Sequence, residues 1–297
     1  MHSIRIATRG SALALWQANW VRAQLLERQA VNIELKIIET QGDRESAAFR
    51  NMLGQGFFTK AVQEAVLEGK ADIAVHSLKD LPSAVTHGLT IAAIPEREDA
   101  REVLLMLPKV FDSSAANLPV RLGAIVGTSA VRRQAQLSAL RPDLGLRELR
   151  GNVPTRVDKL RRGDYGAIVL AAAGLKRLNL DLRDLKMITL EPDVFAPAPG
   201  QGALALECRS DDARTLALLS HLDNLEARDT VQTERGLMAR LEGGCQLALG
   251  ASAVKLDDGV SLLAWYGGRF YNAHGSSETV IAQIHAQIMQ EQMLVKS

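Results

Sequence analysis

A cysteine set beside two glycines is the first group in this 297-residue chain with the makings of a nucleophile. In Arg240-Leu241-Glu242-Gly243-Gly244-Cys245-Gln246, a helical run from Leu225 to Leu241 ends on the glycines and Cys245 follows on the turn. Glycine takes positive φ past a helix C-terminus without a Cβ penalty, and the second glycine clears another side chain from beside the sulfur. A thiolate on an open turn can carry a covalent group, although a small hydrophobe packed behind a helix cap is the plainer reading. The second group is His76-Ser77-Leu78-Lys79-Asp80-Leu81-Pro82, polar and charged side chains gathered at a strand's end before a proline. Lys79 could form a Schiff base with a carbonyl substrate, but its neighbour Asp80 makes ion pairing the commoner explanation. Asp80 taken alone is a solvated turn residue. The third is arginine, with 25 copies against 10 lysines. Its planar fork grips carboxylates or phosphates by two bonds at once, which points to a pocket for a small polyanion. A salt-bridged, solvated surface accounts for most of the 25.

The elements that must position these groups read as α/β. Ile4 to Ala7 alternates as a strand, and after Thr8-Arg9-Gly10, Ser11 can cap a helix with Leu15, Trp16, Val21 and Leu25 inward. Asn32 to Glu39 is a second strand, so Arg9 lies at a strand's C-terminal end, where open parallel sheets put ligands. Thr40 to Gly56 is polar, glycine-punctuated and long for a plain connection, with the features of a lid. A helix from Phe57 to Leu67 and strands Ala71 to Val75 and Gly88 to Ile94 follow. The charge run Pro95 to Arg101 reads as a crossing to a second unit. There, strands Glu102 to Leu107, Gly123 to Gly127, Arg147 to Leu149 and Tyr165 to Leu170 are expected. Thr128 or Ser129 is expected to cap a helix carrying Arg132 and Arg133, and Arg156 falls in the first turn of a helix beginning near Pro154. Arg177 follows the small-residue run Ala171 to Gly174, so a strand end, a small residue, a helix start and an arginine recur. Helix-start amides and guanidinium would then converge on the same carboxylates. Pro197 to Gly202 reads as the return crossing, and Ala203 to Cys208 as a strand rejoining the first sheet. From about Asp223 a helix, strands at 250–256 and 261–265 and a helix from Val280 to Val295 suggest a small α+β domain.

Several functions are set aside. Apolar residues make 47% of the chain and the formal net charge is +1, an ordinary soluble composition without the basic domain that non-specific nucleic-acid binding wants. Met1 to Gly10 lacks an apolar h-region, so no signal peptide is expected. The run Ala167 to Leu175 is about half the length of a membrane-spanning helix. Cys208 and Cys245 make no disulfide framework or CxxC motif, so a reducing cytoplasm fits. The six histidines have no metal-site spacing, Gly54-Gln55-Gly56 lacks the third glycine of a dinucleotide fingerprint, and no phosphate-binding P-loop occurs. The residues therefore lead to an arginine-lined cleft with one carboxylate and one cysteine near it. A carboxylate-binding receptor and an enzyme both remain open.

Arg5-Ile6-Ala7-Thr8-Arg9, Leu13 to Ala18 and His76-Ser77-Leu78-Lys79-Asp80 resemble the porphobilinogen deaminase (hydroxymethylbilane synthase) family. So do Gly127-Thr128-Ser129, Arg132-Arg133-Gln134, Arg150-Gly151-Asn152-Val153, Ala173 to Arg177, Pro199 to Gly202 and Glu242-Gly243-Gly244-Cys245, in order along the chain. The resemblance implies two type II periplasmic-binding-protein-like α/β domains, 1–96 with 202–218 and 101–196, and a small C-terminal α+β domain, 222–297. It implies a transferase that condenses four porphobilinogen molecules into a linear tetrapyrrole, releasing four ammonia. A dipyrromethane primer would be held by a thioether at Cys245. Carried over residue by residue, Asp80 is the catalytic carboxylate that stabilises cationic pyrrole nitrogens. Lys79, Thr128, Ser129, Arg132, Arg133, Arg150 and Arg156 hold the primer, and Arg9, Ser11, Phe58, Arg177 and Gln201 meet substrate. No metal, nucleic acid or membrane is implied, and a cytoplasmic monomer is expected. The chain departs from the family at Gln55, where a lysine is usual, at Asn51, and at Ala130, where a serine is common. The first removes a cation from the 40–56 loop, the last a hydroxyl donor. A non-catalytic polycarboxylate-binding protein on the same fold is the alternative.

Overall fold

The computed structural model describes residues 3–28, 32–38, 56–241 and 247–296. The chain divides into two compact units, 1–98 with 202–229 and 99–201 with 230–297.

In the first unit, strand β1 (Ser3–Thr8), helix α1 (Ala12–Arg28) and strand β2 (Asn32–Ile37) open the sheet. Helix α2 (Gly56–Leu67), β3 (Ile73–Ser77) and β4 (Leu89–Ala93) follow. After the second unit's sheet, β10 (Leu204–Arg209) and helix α6 (Ala213–Ser220) return. The sheet order is β2-β1-β3-β10-β4, with β1, β2 and β3 parallel and β10 antiparallel between β3 and β4. Alternation splits the buried side chains between the two faces. Ile4, Ile6, Ile73, Val75, Leu204 and Leu206 pack with Val21 and Leu25 of α1, while Ala7 and Ala74 pack with Val62 and Val66 of α2. The predicted return of Ala203 to Cys208 into this sheet is therefore observed. β3 runs two residues further than its alternation indicated, so His76 lies inside the strand.

The second unit repeats the pattern. Strands β5 (Glu102–Met106), β6 (Ile125–Gly127), β7 (Gly145–Arg147), β8 (Ala167–Ala171) and β9 (Lys186–Leu190) form a sheet of order β7-β6-β8-β5-β9. Again three strands run parallel, and one antiparallel strand, β5, separates the last two. Helices α3 (Val131–Leu140), α4 (Val153–Arg161) and α5 (Ala172–Leu178) each follow a parallel strand. Leu104 and Met106 of β5 pack with Leu137 of α3, and Val103 and Leu105 with Val157 and Leu160 of α4, so both faces are covered. The unit also holds helix α7 (Leu225–Arg240) from Thr230 onward, the antiparallel meander β11 (Gly250–Leu256), β12 (Gly259–Tyr266), β13 (Arg269–Gly275), and helix α8 (Ser277–Lys296). Val280, Ile284 and Ile288 stand four apart on α8 and fill the meander's core, a helical stripe against one sheet face. The fold is mixed α/β. Among the described residues, no helix is long and apolar enough to cross a membrane.

Candidate functional site

In the first unit, two adjacent parallel strands end side by side. Ile6 and Ala7 of β1 pair with Ile73 and Ala74 of β3, so the residues after Thr8 and after Ser77 leave the same sheet edge. Side chains fasten the first of these turns to α1: Thr8 Oγ1 donates to the Ala14 carbonyl (3.1 Å) and Ser11 Oγ accepts from the Ala14 amide (3.3 Å). Ser11 thus serves the helix start as expected, and half-buried Arg9 lies between those two residues. Gln17 Nε2 donates to Ser77 Oγ at 2.7 Å, joining α1 to the end of β3. There Leu78, Lys79 and Asp80 form a single 3-10 turn. Leu78 and Leu81 are fully buried on either side of it, and the Leu78 amide donates to the Ala203 carbonyl at 3.0 Å. Two buried leucines therefore pin the short turn, leaving Lys79 half-exposed and Asp80 exposed. An anchored carboxylate facing water is suited to meet a developing positive charge without reorganising.

Beneath this edge is a polar cluster that strand alternation did not reveal. His76 Nε2 lies 3.0 Å from Glu207 Oε2, and Gln63 Nε2 donates to both oxygens of Glu207, at 2.9 and 3.2 Å. All three side chains are buried. The partners come from β3, β10 and α2, and only the antiparallel return of β10 makes them neighbours. Phe58 belongs to α2, but its side chain lies outside the described residues, as do Asn51, Gln55, the rest of the 40–55 loop and Cys245.

In the second unit the parallel strands β7, β6 and β8 likewise end along one edge, where the expected anion-binding residues gather. Thr128 and Ser129 follow β6, but neither caps α3. The N-cap is Ala130, with no side-chain hydrogen bond. Thr128 Oγ1 instead accepts from the Ala130 amide (3.3 Å), and Ser129 Oγ donates to the Leu149 carbonyl (2.6 Å) and accepts from its amide (3.1 Å). Ser129 thus joins the end of β6 to the segment after β7, and α3 begins one or two residues later than its hydroxyls suggested. By contrast, Asn152 caps α4 by accepting from the Thr155 amide at 2.9 Å.

The arginines differ among themselves. Arg132 and Arg133, in the first turn of α3, are buried and share Glu102, the first residue of β5. Arg132 donates through Nη2 to Glu102 Oε1 and through Nη1 to the Ala196 carbonyl (2.6 Å). Arg133 donates to both Glu102 oxygens (Nε 3.0 Å, Nη2 2.7 Å) and to the Val169 carbonyl (2.9 Å). Burial pulls the Arg132 guanidinium below its ordinary value, Glu102 opposes that pull, and Arg133 reinforces it. Arg150 pairs with exposed Glu148, whose carboxyl is held below its usual range by that hydrogen bond. Arg156 folds back on the Gly151 carbonyl (2.8 Å), and Lys159 reaches the Arg150 carbonyl (2.9 Å). Arg177 is buried in the last turn of α5, not at a helix start. Gln201 is 1% exposed and donates to the Ala100 carbonyl at 2.8 Å. Among the described residues no cluster of three or more His, Cys, Asp or Glu could hold a metal ion.

Solved structures with similar folds include an ancestral cationic amino acid solute-binding protein, at 14% identity and TM-score 0.46, covering 78% of this chain and 92% of that one. Another is a Salmonella typhimurium periplasmic binding protein described for high arginine specificity, at 10% identity and TM-score 0.42, covering 75% and 92%. A third is YhfZ from Shigella flexneri, at 16% identity and TM-score 0.37, covering 82% and 98%. Likenesses this distant carry no inference about function. The decisive match is to the family model described as porphobilinogen deaminase, dipyromethane cofactor binding domain, over residues 4–217. That span is well over half of the chain and takes in β1 through most of α6, with Asp80 and the arginines of both sheet edges. The chain belongs to the porphobilinogen deaminase family.

Proposed function

We propose that the chain is a hydroxymethylbilane synthase, joining four porphobilinogen molecules head to tail and releasing four ammonia, with water ending the chain. The observation that carries this reading is the family match over 4–217, which includes the exposed Asp80 on its pinned turn and the arginine-rich edge of the second sheet. Porphobilinogen bears an acetate and a propionate, so its oligomers are polyanions, and the donor set of Arg132, Arg133, Arg150, Arg156, Thr128 and Ser129 suits carboxylates. These residues would hold a dipyrromethane, with Lys79 assisting, while Arg9, Ser11, Phe58, Arg177 and Gln201 serve incoming substrate. When bound through a thioether at Cys245, that group supplies the free pyrrole end to which the first unit is added.

Asp80 accepts the pyrrole N–H groups and stabilises the positive charge that appears on nitrogen as each bond forms. A carboxylate about 4 Å from that charge contributes roughly 4 kcal/mol at an effective dielectric near 20. Expressed fully in the transition state, this is on the order of a thousandfold in rate. Residues 222–297 act in this reading as the domain that carries Cys245, in a cytoplasmic monomer. The test is incubation of the purified chain with porphobilinogen. Ammonia release, with uroporphyrin on acidification, is expected. Saturable binding without either product would leave a polycarboxylate-binding protein in its place.

A further inference from the structure

The buried cluster at the start of α3 does not balance its charge. Arg132 and Arg133 each carry a positive charge that arginine keeps in proteins, and both are directed onto the single carboxylate of Glu102. Among the described residues they also donate to the carbonyls of Ala196 and Val169, which are dipoles and not charges. Glu102 is 0% exposed and each arginine 6%. Counted over these three side chains, one positive charge is left over in a place where water screens poorly. It lies in the first turn of a ten-residue helix whose N-cap, Ala130, offers no side chain to the amides. Surplus charge and helix dipole have the same sign at the same point.

We infer that Glu102 is a positioning residue that holds the two guanidinium forks and neutralises only one, so that a single ligand carboxylate completes the cluster. Glu102 touches no ligand itself. It fixes the directions of both forks, Arg133 through two bonds and Arg132 through one, and sets the net charge that an arriving carboxylate meets. A second acidic residue here would cancel the attraction. An uncharged one would leave two like charges buried side by side, at a cost in stability that an anion could relieve. The inference rests on the reading that carboxylates bind at this edge, but not on the condensation reaction.

The experiment is a charge ladder on the full-length chain, with primer-free material verified by intact mass. Its readout is the rise in Tm on adding butane-1,2,3,4-tetracarboxylate, beyond that given by sodium chloride of equal ionic strength. Wild type has a cluster sum of +1, E102Q +2, R132Q zero, and E102Q with R132Q +1 again. Attraction scales with the sum, so E102Q should show about twice the wild-type rise and R132Q almost none. The double variant should recover the wild-type value with one arginine fewer. A purely structural Glu102 would lower the starting Tm of E102Q and leave the anion-induced rise unchanged, which overturns the inference. Should E102Q fail to fold, R132Q against the double variant decides. Both have one arginine, and equal rises overturn the role of the Glu102 charge. Ammonia release from porphobilinogen by the wild type tests the reaction separately, so either can fail alone.

Discussion

Gly127, the residue before Thr128, is irreplaceable for a reason of packing. Its φ is not positive, so backbone strain is not at issue. A Cβ there would lie 2.7, 2.9 and 3.0 Å from Cδ1, Cε1 and Cγ of the Tyr165 ring, against ordinary carbon contacts of about 3.5–4.0 Å. Tyr165 is poorly placed to retreat: it is 7% exposed and its hydroxyl donates to the Glu148 carbonyl at 2.6 Å. Overpacking of this kind costs about 1–3 kcal/mol, and losing the tyrosine's hydrogen bond about 1 more. Replacing glycine returns about 0.5 kcal/mol through the unfolded chain. Gly127→Ala should therefore lose about 1.5–3.5 kcal/mol, or about 4–10 °C in Tm at the few degrees per kcal/mol usual for chains of this size. Calorimetry of Gly127→Ala, Tyr165→Leu and the double variant isolates the cause. Removing the ring should make the alanine harmless, giving a favourable coupling of about 1 kcal/mol or more. Additive losses, or a Gly127→Ala chain within about 0.5 kcal/mol of wild type, would refute the packing account. Because Thr128 and Ser129 follow directly, the displaced β6 should also raise KM for porphobilinogen.

Three further outcomes are expected. Asp80→Asn should cut turnover by about a hundredfold to a thousandfold with a much smaller change in KM, since the amide keeps the shape and loses the charge; normal turnover removes Asp80 from the mechanism. Burial first, and the charge of Asp212 next, push the Cys208 thiol up to about 11, so iodoacetamide at pH 8 should spare it in the native protein. The mass of two linked pyrroles should then persist in Cys208→Ser and vanish in Cys245→Ser, and the reverse pattern would move the primer. Burial raises the Asp72 carboxyl, but the hydrogen bonds and charge of Arg5, with the charge of Arg209, outweigh it and hold the pKa below the ordinary carboxylate value. The folded pKa is thus below the unfolded one, so this stabilisation is complete above the unfolded value near 4 and is lost as pH falls through the folded value. Asp72→Asn should flatten the acid limb of a stability–pH profile there, and an unchanged limb would show that Asp72 does not contribute to it.

Sequence alone exposed those features of the fold that rest on local pattern. Alternation located β1, β2 and β10, Ser11 marked the start of α1, and Pro154 marked α4 to within a residue. β9 and β13 escaped because their alternation is weak: Lys186 and Met187 are exposed in one, and only Tyr271 and Ala273 turn inward in the other. Thr128 and Ser129 looked like caps because hydroxyls at a helix start usually are. Ser129 was taken instead by Leu149, twenty residues away in the chain. The partners of Arg132 and Arg133 were beyond reach for a different reason. Glu102 follows the charge run 95–101, and nothing in its order tells which carboxylate enters the sheet and which stays in water.

The antiparallel β10 also governs the order in which the chain can fold. The sheet of the second unit is built entirely from residues 102–190, whereas Glu207 and Gln63, which meet in the first unit, are 144 residues apart in sequence. As the chain leaves the ribosome, β3 and β4 must therefore wait with a gap between them, their facing edges unpaired and apolar, while the later unit already has every strand of its own sheet. Local closure is fast and distant closure slow. Of the two five-stranded sheets, the first to be begun is thus the last to be completed, and until β10 arrives its open strand edges are where a second nascent chain could add.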